Sequence, residues 1–211
     1  PTSRWSSSRW SRGSGSEPGA GRAPRDRVPR ASADGTAGPR DPAGSDRRAD
    51  RPGAAAGRAR DRGAIDEGHT HPVDAARGSH IVVLATPVLG IIELINRLGP
   101  ALPPKTLLTD VGSTKAEVMA RAHADFGKNT GQRFLGGHPM AGKEQAGVDY
   151  ADADLFEGAA WLFTPLPRQN VHAGLCGEFL HCVEKLGAKV AILDPADHDR
   201  LCAWVSHLPQ M

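Results

Sequence analysis

From His80 onward the apolar positions alternate between two rhythms. His80 to Thr86, HIVVLAT, is a continuous run rich in β-branched residues, the pattern of a strand buried on both faces, and Pro87 stops it. Val88 to Leu98 then carries apolar residues at 88, 91, 92, 95 and 98, a helical spacing. Thr106 to Val111, TLLTDV, predicts a second buried strand. Thr114-Lys115-Ala116-Glu117 has the form of a capping box, which predicts a helix from there to Phe126, closed by Gly127. Arg133 to Gly136 and Ala160 to Thr164 predict a third and a fourth strand. Val171, Leu175, Phe179, Val183 and Leu186 make one helical stripe, ended by Gly187. Lys189 to Leu193 predicts a fifth strand, and Asp194-Pro195-Ala196-Asp197 caps a last helix with Pro at its first position.

Buried strands separated by helices define the fold class: α/β, a Rossmann-like doubly wound parallel sheet. Ligands of such sheets bind beyond the carboxyl ends of the strands. Three segments follow strands and therefore matter: ATPV at 85–88, DVGSTK at 110–115 and GGHPMAG at 136–142.

Composition divides the chain. Residues 1–57 hold no Leu, Ile, Met, Phe, Tyr, Cys, Lys or His, and their only large apolar residues are Trp5, Trp10 and Val28. Such an Arg/Gly/Pro-rich segment cannot bury enough apolar area to offset its ordering entropy and is expected to be disordered. A second reading is that it is out of frame. Every cation before Lys105 is Arg, as GC-rich coding would produce. With UCN serine codons, sliding the frame back one base over Gly13–Glu17 permits Gly-Leu-Gly-Leu-Gly. Residues 58–205 are then expected to form a partial dinucleotide-binding domain, incomplete at its N-terminal side. An Arg-rich arm also suits nucleic acid, but the net charge of +2 gives that no support, and no nucleic-acid partner is expected. The three cysteines, Cys176, Cys182 and Cys202, form neither a disulfide framework nor a C-x-x-C pair, which points to a reducing cytoplasm. No apolar run approaches the roughly 20 residues of a membrane helix, so no membrane partner is expected.

Two of the three strand ends carry candidate chemistry. Gly112 and Ser113 stand just before a helix N-terminus, where unpaired N–H groups favour an anion; Ser113 is read as a ligand contact as well as a cap. His138 stands between two glycines and a proline, a corner read as open to a ligand. An imidazole near its reference pKa of about 6.5 can accept a hydroxyl proton. No metal site is expected, because the histidines are scattered and lack H-x-x-x-H or H-E-x-x-H spacing. His69, His71, His123, His172 and His181 are read as structural or exposed.

LATPV, TDVGSTK, FLGGHPMAGKEQAGVDYADADLFEG followed by WLFTP, and DPADHDRLCAWVSHLP together resemble the prephenate/arogenate dehydrogenase family, from about residue 59 to Met211. The resemblance implies oxidative decarboxylation of a cyclohexadienyl acid, prephenate or arogenate, in tyrosine biosynthesis, with NAD or NADP as cofactor. It implies that His138 takes or polarises the proton of the ring hydroxyl, and that Ser113 hydrogen-bonds the same hydroxyl. It puts His207 and Gly137 on the substrate side, and Ala85, Thr86, Pro87 and Asp110 along the cofactor. It also implies a helical second domain beginning at residues 206–211, through which full-length members pair as homodimers. The first strand and the glycine-rich turn of such a domain are absent as written. Two other readings stay open: an inactive truncated fragment of such an enzyme, and another Rossmann-type oxidoreductase, against which the GHPMAG corner speaks.

Overall fold

The computed structural model describes residues 54–143 and 147–204. Its first helix, α1 (Ala54–Asp61), starts inside the segment expected to be unstructured. An alanine run with two arginines has the propensity to do so. Residues 1–53, and with them most of the 1–57 expectation, lie outside the described residues, as do Glu144–Ala146 and the stretch 205–211 that holds His207.

After α2 (Pro72–Ala76) come β1 (Ile81–Leu84), α3 (Val88–Ala101), β2 (Leu107–Asp110), α4 (Ala116–Phe126), α5 (Thr130–Arg133), β3 (Phe134–Pro139), β4 (Ala160–Thr164), α6 (Gly174–Lys185), β5 (Lys189–Ile192) and α7 (Pro195–Cys202), the order the pattern predicts except that α5 is added before β3 and β3 runs on from Gly136 to Pro139. The five strands form one sheet in the order β1-β2-β3-β4-β5. β1, β2 and β3 are parallel neighbours, and so are β4 and β5.

β3 and β4 pair antiparallel, Gly136 with Thr164 through Pro139 with Trp161. The sheet is thus mostly parallel, not wholly so. The reason lies in the link between them. Residues 140–159 carry no α-helix among the described residues, only the 3-10 turn Val148–Tyr150. Without a helical crossover the chain re-enters the sheet from the end at which it left, and that makes an antiparallel pair.

Side chains alternate across the strands into two cores. Val82, Leu84, Leu108 and Phe134 face α3 and α4, packing with Ile91, Leu94, Ile95, Leu98, Val118, Met119 and Ala122. Val83, Leu107 and Leu135 face the other way, toward Phe179, Leu180 and Val183 of α6, joined by Trp161 and Phe163. Each fully buried aliphatic side chain contributes about 1.5–3 kcal/mol, so two-sided burial is what holds the short strands. α6 ends where expected, at Gly187, whose φ of 82° is left-handed backbone that favours glycine. α7 starts as expected too: the Asp194 side chain accepts from the Ala196 N–H, with Pro195 at the first position. Among the described residues no helix is long and apolar enough to cross a membrane.

Candidate active site at the carboxyl end of β3

The capping box does not form. Lys115 is the N-cap of α4 and its side chain caps nothing. Instead Asp199, on α7, accepts from the Lys115 N–H at 2.7 Å and from the Ala116 N–H at 2.9 Å. The helix terminus expected to attract a ligand anion therefore already holds one, supplied by the chain itself. Burial pushes the Asp199 carboxyl up, but the Ala116 N–H, the His198 ring and the Lys115 N–H outweigh it and hold the group below the usual carboxylate range. A carboxyl with a depressed folded pKa adds stability above its unfolded value of about 3.9, and that stability is lost as pH falls through the lower folded value. Asp199→Asn is therefore expected to flatten the acid limb of the stability profile below about pH 4, read as urea midpoints. An acid limb identical to that of the parent chain would show that Asp199 does not carry this term.

Lys115 is fully buried, with Asp110 as its ion-pair partner. Its Nζ also donates to the Gly137 carbonyl at 2.8 Å, while Asp110 accepts from the N–H groups of Gly112 at 2.9 Å and Gly137 at 3.2 Å. Burial pushes the Asp110 carboxyl up and the Lys115 ammonium down, each opposed by the other's charge. Two sequence expectations change here. Asp110 has no surface to offer a cofactor. Gly137 is buried, spends both its backbone polar groups on this pair, and leaves no room for a side chain, since an added Cβ would lie 2.7 Å from the Asp110 carbonyl oxygen. The glycines before His138 admit the protein's own atoms, not a ligand.

His138 is accordingly not on an irregular turn. It is part of β3, half-buried, one residue from the strand's carboxyl end. It shares the face of Phe134 and Gly136, toward α4. There His138 Nδ1 lies 2.9 Å from His198 Nε2, and His198 Nδ1 lies 2.8 Å from Asp199 Oδ1. The two rings meet edge to face, with centroids 5.1 Å apart. Cys202, one turn beyond His198, places its Sγ 3.5 Å from His198 Nε2 and 3.7 Å from His138 Nδ1. Two of the scattered histidines, His138 and His198, thus converge with Cys202, where the histidine spacing predicts no metal site. H-x-x-x-C at 198–202 is the spacing that carries the convergence, because i and i+4 share a helix face.

A carboxylate only accepts, so His198 Nδ1 carries a proton toward Asp199. The contact between the two rings fits a His138 Nδ1–H that donates to His198 Nε2, and in that tautomer the His138 lone pair is on Nε2, the state a proton acceptor needs.

The other predicted residues sit on the loops beyond β1 and β2. Ser113 is exposed in the loop between β2 and α4. Ala85 and Pro87 are exposed and Thr86 is half-buried, directly before the amino end of α3, where Leu89 stands 78% exposed. An exposed apolar residue at a helix amino end beside a strand end fits a nucleotide. A cavity of about 860 Å³ opens at the other end of the strands, before the amino ends of β1, β2 and β3, lined by His80, Lys105 and Gln132.

Residues 47–192 match the model of the prephenate dehydrogenase nucleotide-binding domain. The chain belongs to that family. The prephenate dehydrogenase of Lactococcus lactis subsp. cremoris (strain MG1363) is 36% identical over 154 residues, 72% of this chain and 40% of the relative. Synechocystis arogenate dehydrogenase superposes with a TM-score of 0.66 at 31% identity, over 75% of this chain and 54% of that one. Prephenate dehydrogenase from Aquifex aeolicus, solved in complex with hydroxyphenyl propionate and NAD+, superposes with a TM-score of 0.64 at 32% identity, over 75% and 53%. The chain thus spans about half the length, or less, of these relatives.

Proposed function

We propose that this chain is the nucleotide-binding part of an NAD- or NADP-dependent dehydrogenase that oxidises and decarboxylates prephenate or arogenate, with His138 as the proton acceptor. The observation that carries the reading is the Asp199–His198–His138 hydrogen-bond chain at the carboxyl end of β3. It supports a base at the strand ends where Rossmann-like sheets bind ligands.

The bound nicotinamide supplies a hydride acceptor. Ala85, Thr86 and Pro87 would line its site. As the C4–H bond of the substrate breaks, the electron pair of the bond to the ring carboxylate enters the ring and carbon dioxide leaves. Positive charge that develops beside the ring hydroxyl is relieved when that hydroxyl's proton moves toward His138 Nε2. The proton returns to the phenol oxygen once the ring is aromatic, so none is consumed. His198 and Asp199 act through His138, holding its tautomer and orientation. Ser113 would hydrogen-bond the same hydroxyl, and His207 would stand on the substrate side. Positioning is the larger part of the work, because aromatisation already drives the reaction.

The test is nicotinamide reduction by a polypeptide carrying this chain, followed in absorbance with prephenate and with arogenate, each with NAD+ and NADP+. Turnover with one of the two acids is expected. Nucleotide binding without turnover of either acid would overturn the proposal.

A further inference from the structure

His138, His198 and Cys202 each offer one ligand atom, and the three atoms lie within 4.8 Å of one another. Their separations are 2.9, 3.5 and 3.7 Å. A tetrahedral zinc with bonds of about 2.0–2.1 Å to nitrogen and about 2.3 Å to sulfur has edges of about 3.4 Å between nitrogens and about 3.6 Å between nitrogen and sulfur. Two of the three edges already agree, and the third needs the rings to part by about half an ångström. The donors are two imidazoles and a thiol, a set that suits zinc and excludes magnesium or calcium. His198 brings the outer partner that zinc histidines commonly have: its other nitrogen faces the Asp199 carboxylate, itself pinned by two backbone N–H groups. His198 and Cys202 are buried and His138 is half-buried, and the three donors leave one tetrahedral position to a further ligand.

We propose that His138, His198 and Cys202 form a binding site for a zinc-class divalent cation, and that its occupation switches His138 off as a proton acceptor. The switch follows from the ring. A neutral imidazole that ligates through Nδ1 carries its proton on Nε2, so the nitrogen that would accept the hydroxyl proton becomes a donor. Metal and base compete for opposite tautomers of one histidine. This second half rests on the proposed role of His138; the site itself does not.

Cobalt(II) serves as the spectroscopic probe. Titrated into the purified chain, it is expected to give tetrahedral d–d bands and a thiolate-to-cobalt charge-transfer band, saturating at one ion per chain and displaced by zinc. Cys202→Ser should lose the charge-transfer band and Cys182→Ser should keep it. Zinc K-edge absorption on the unaltered chain reads the shell directly, so the result does not depend on a variant folding; one sulfur and two imidazoles are expected. A sulfur-free shell, or a charge-transfer band that survives Cys202→Ser, would overturn the site. For the switch, saturating zinc should lower turnover by about 10²-fold or more, reversed by a chelator. Full turnover with the ion demonstrably bound would overturn the switch. If the metal-free protein has no turnover, the catalytic reading falls and the switch falls with it, while the spectra still decide the site.

Discussion

His138→Asn lowers turnover by about 10²–10⁴-fold, the contribution expected of a positioned general base, or about 3–5 kcal/mol of barrier. Asparagine is chosen because its amide nitrogen falls near the position of Nδ1 and can still donate to His198 Nε2, 2.9 Å from that atom in the parent. The contact with His198 on α7 is kept, and the imidazole Nε2 is lost. The loss should therefore appear in kcat, with KM little changed, because a group that acts on the hydroxyl proton as hydride departs does its work in the transition state. His198→Gln tests the relay behind it. With the tautomer no longer imposed, part of the rate is lost and the pH profile of kcat moves, which a merely structural change would not do. A His138→Asn enzyme with the parent kcat would remove this histidine from the chemistry.

The strands could be read because each is a short apolar run that two-sided burial demands. The fourth, Ala160–Thr164, matches to the residue, and the α7 cap is local chemistry within three residues. What could not be read is what depends on partners far along the chain. The N-terminus of α4 carries Thr114 and Glu117 at capping-box spacing, yet its cap comes from Asp199, 84 residues beyond Lys115. Nothing near Thr114 signals that competitor. His138 was identified as the working histidine for its glycine-lined corner, but Gly136 and Gly137 are buried in β3 and packed by the chain's own atoms. His198 carried no such local mark, and its role exists only because α7 lays it against β3. The antiparallel β4 likewise depends on a crossover helix that is lacking among the described residues of 140–159, and absence is a weak signal in a sequence.

Lys115→Met costs about 3–5 kcal/mol of folding stability, the loss expected when one partner of a buried ion pair is removed. Methionine keeps most of the volume, so the cost falls on the charge of Asp110, left in the core with the Gly112 and Gly137 N–H groups. The pH dependence separates this from a packing defect. Burial raises the folded pKa of Asp110, and removing the Lys115 ammonium removes the largest effect that opposes that rise. A carboxyl raised in the folded state destabilises the protein above that value and recovers the loss as pH falls toward its unfolded value of about 3.9. The gap between the variant and the parent, measured as urea midpoints, should therefore narrow as pH falls through the raised Asp110 value toward about 3.9. Adding Asp110→Leu to Lys115→Met should restore part of the loss, because two apolar residues leave no buried charge unpaired. A single variant that loses less than about 1 kcal/mol would mean that the pair is not held as described. The pair also reaches the site: Lys115 and Asp110 grip the carbonyl and the N–H of Gly137, the residue before His138. Part of the sheet's least replaceable polar chemistry is thus spent on fixing the backbone that aims the histidine.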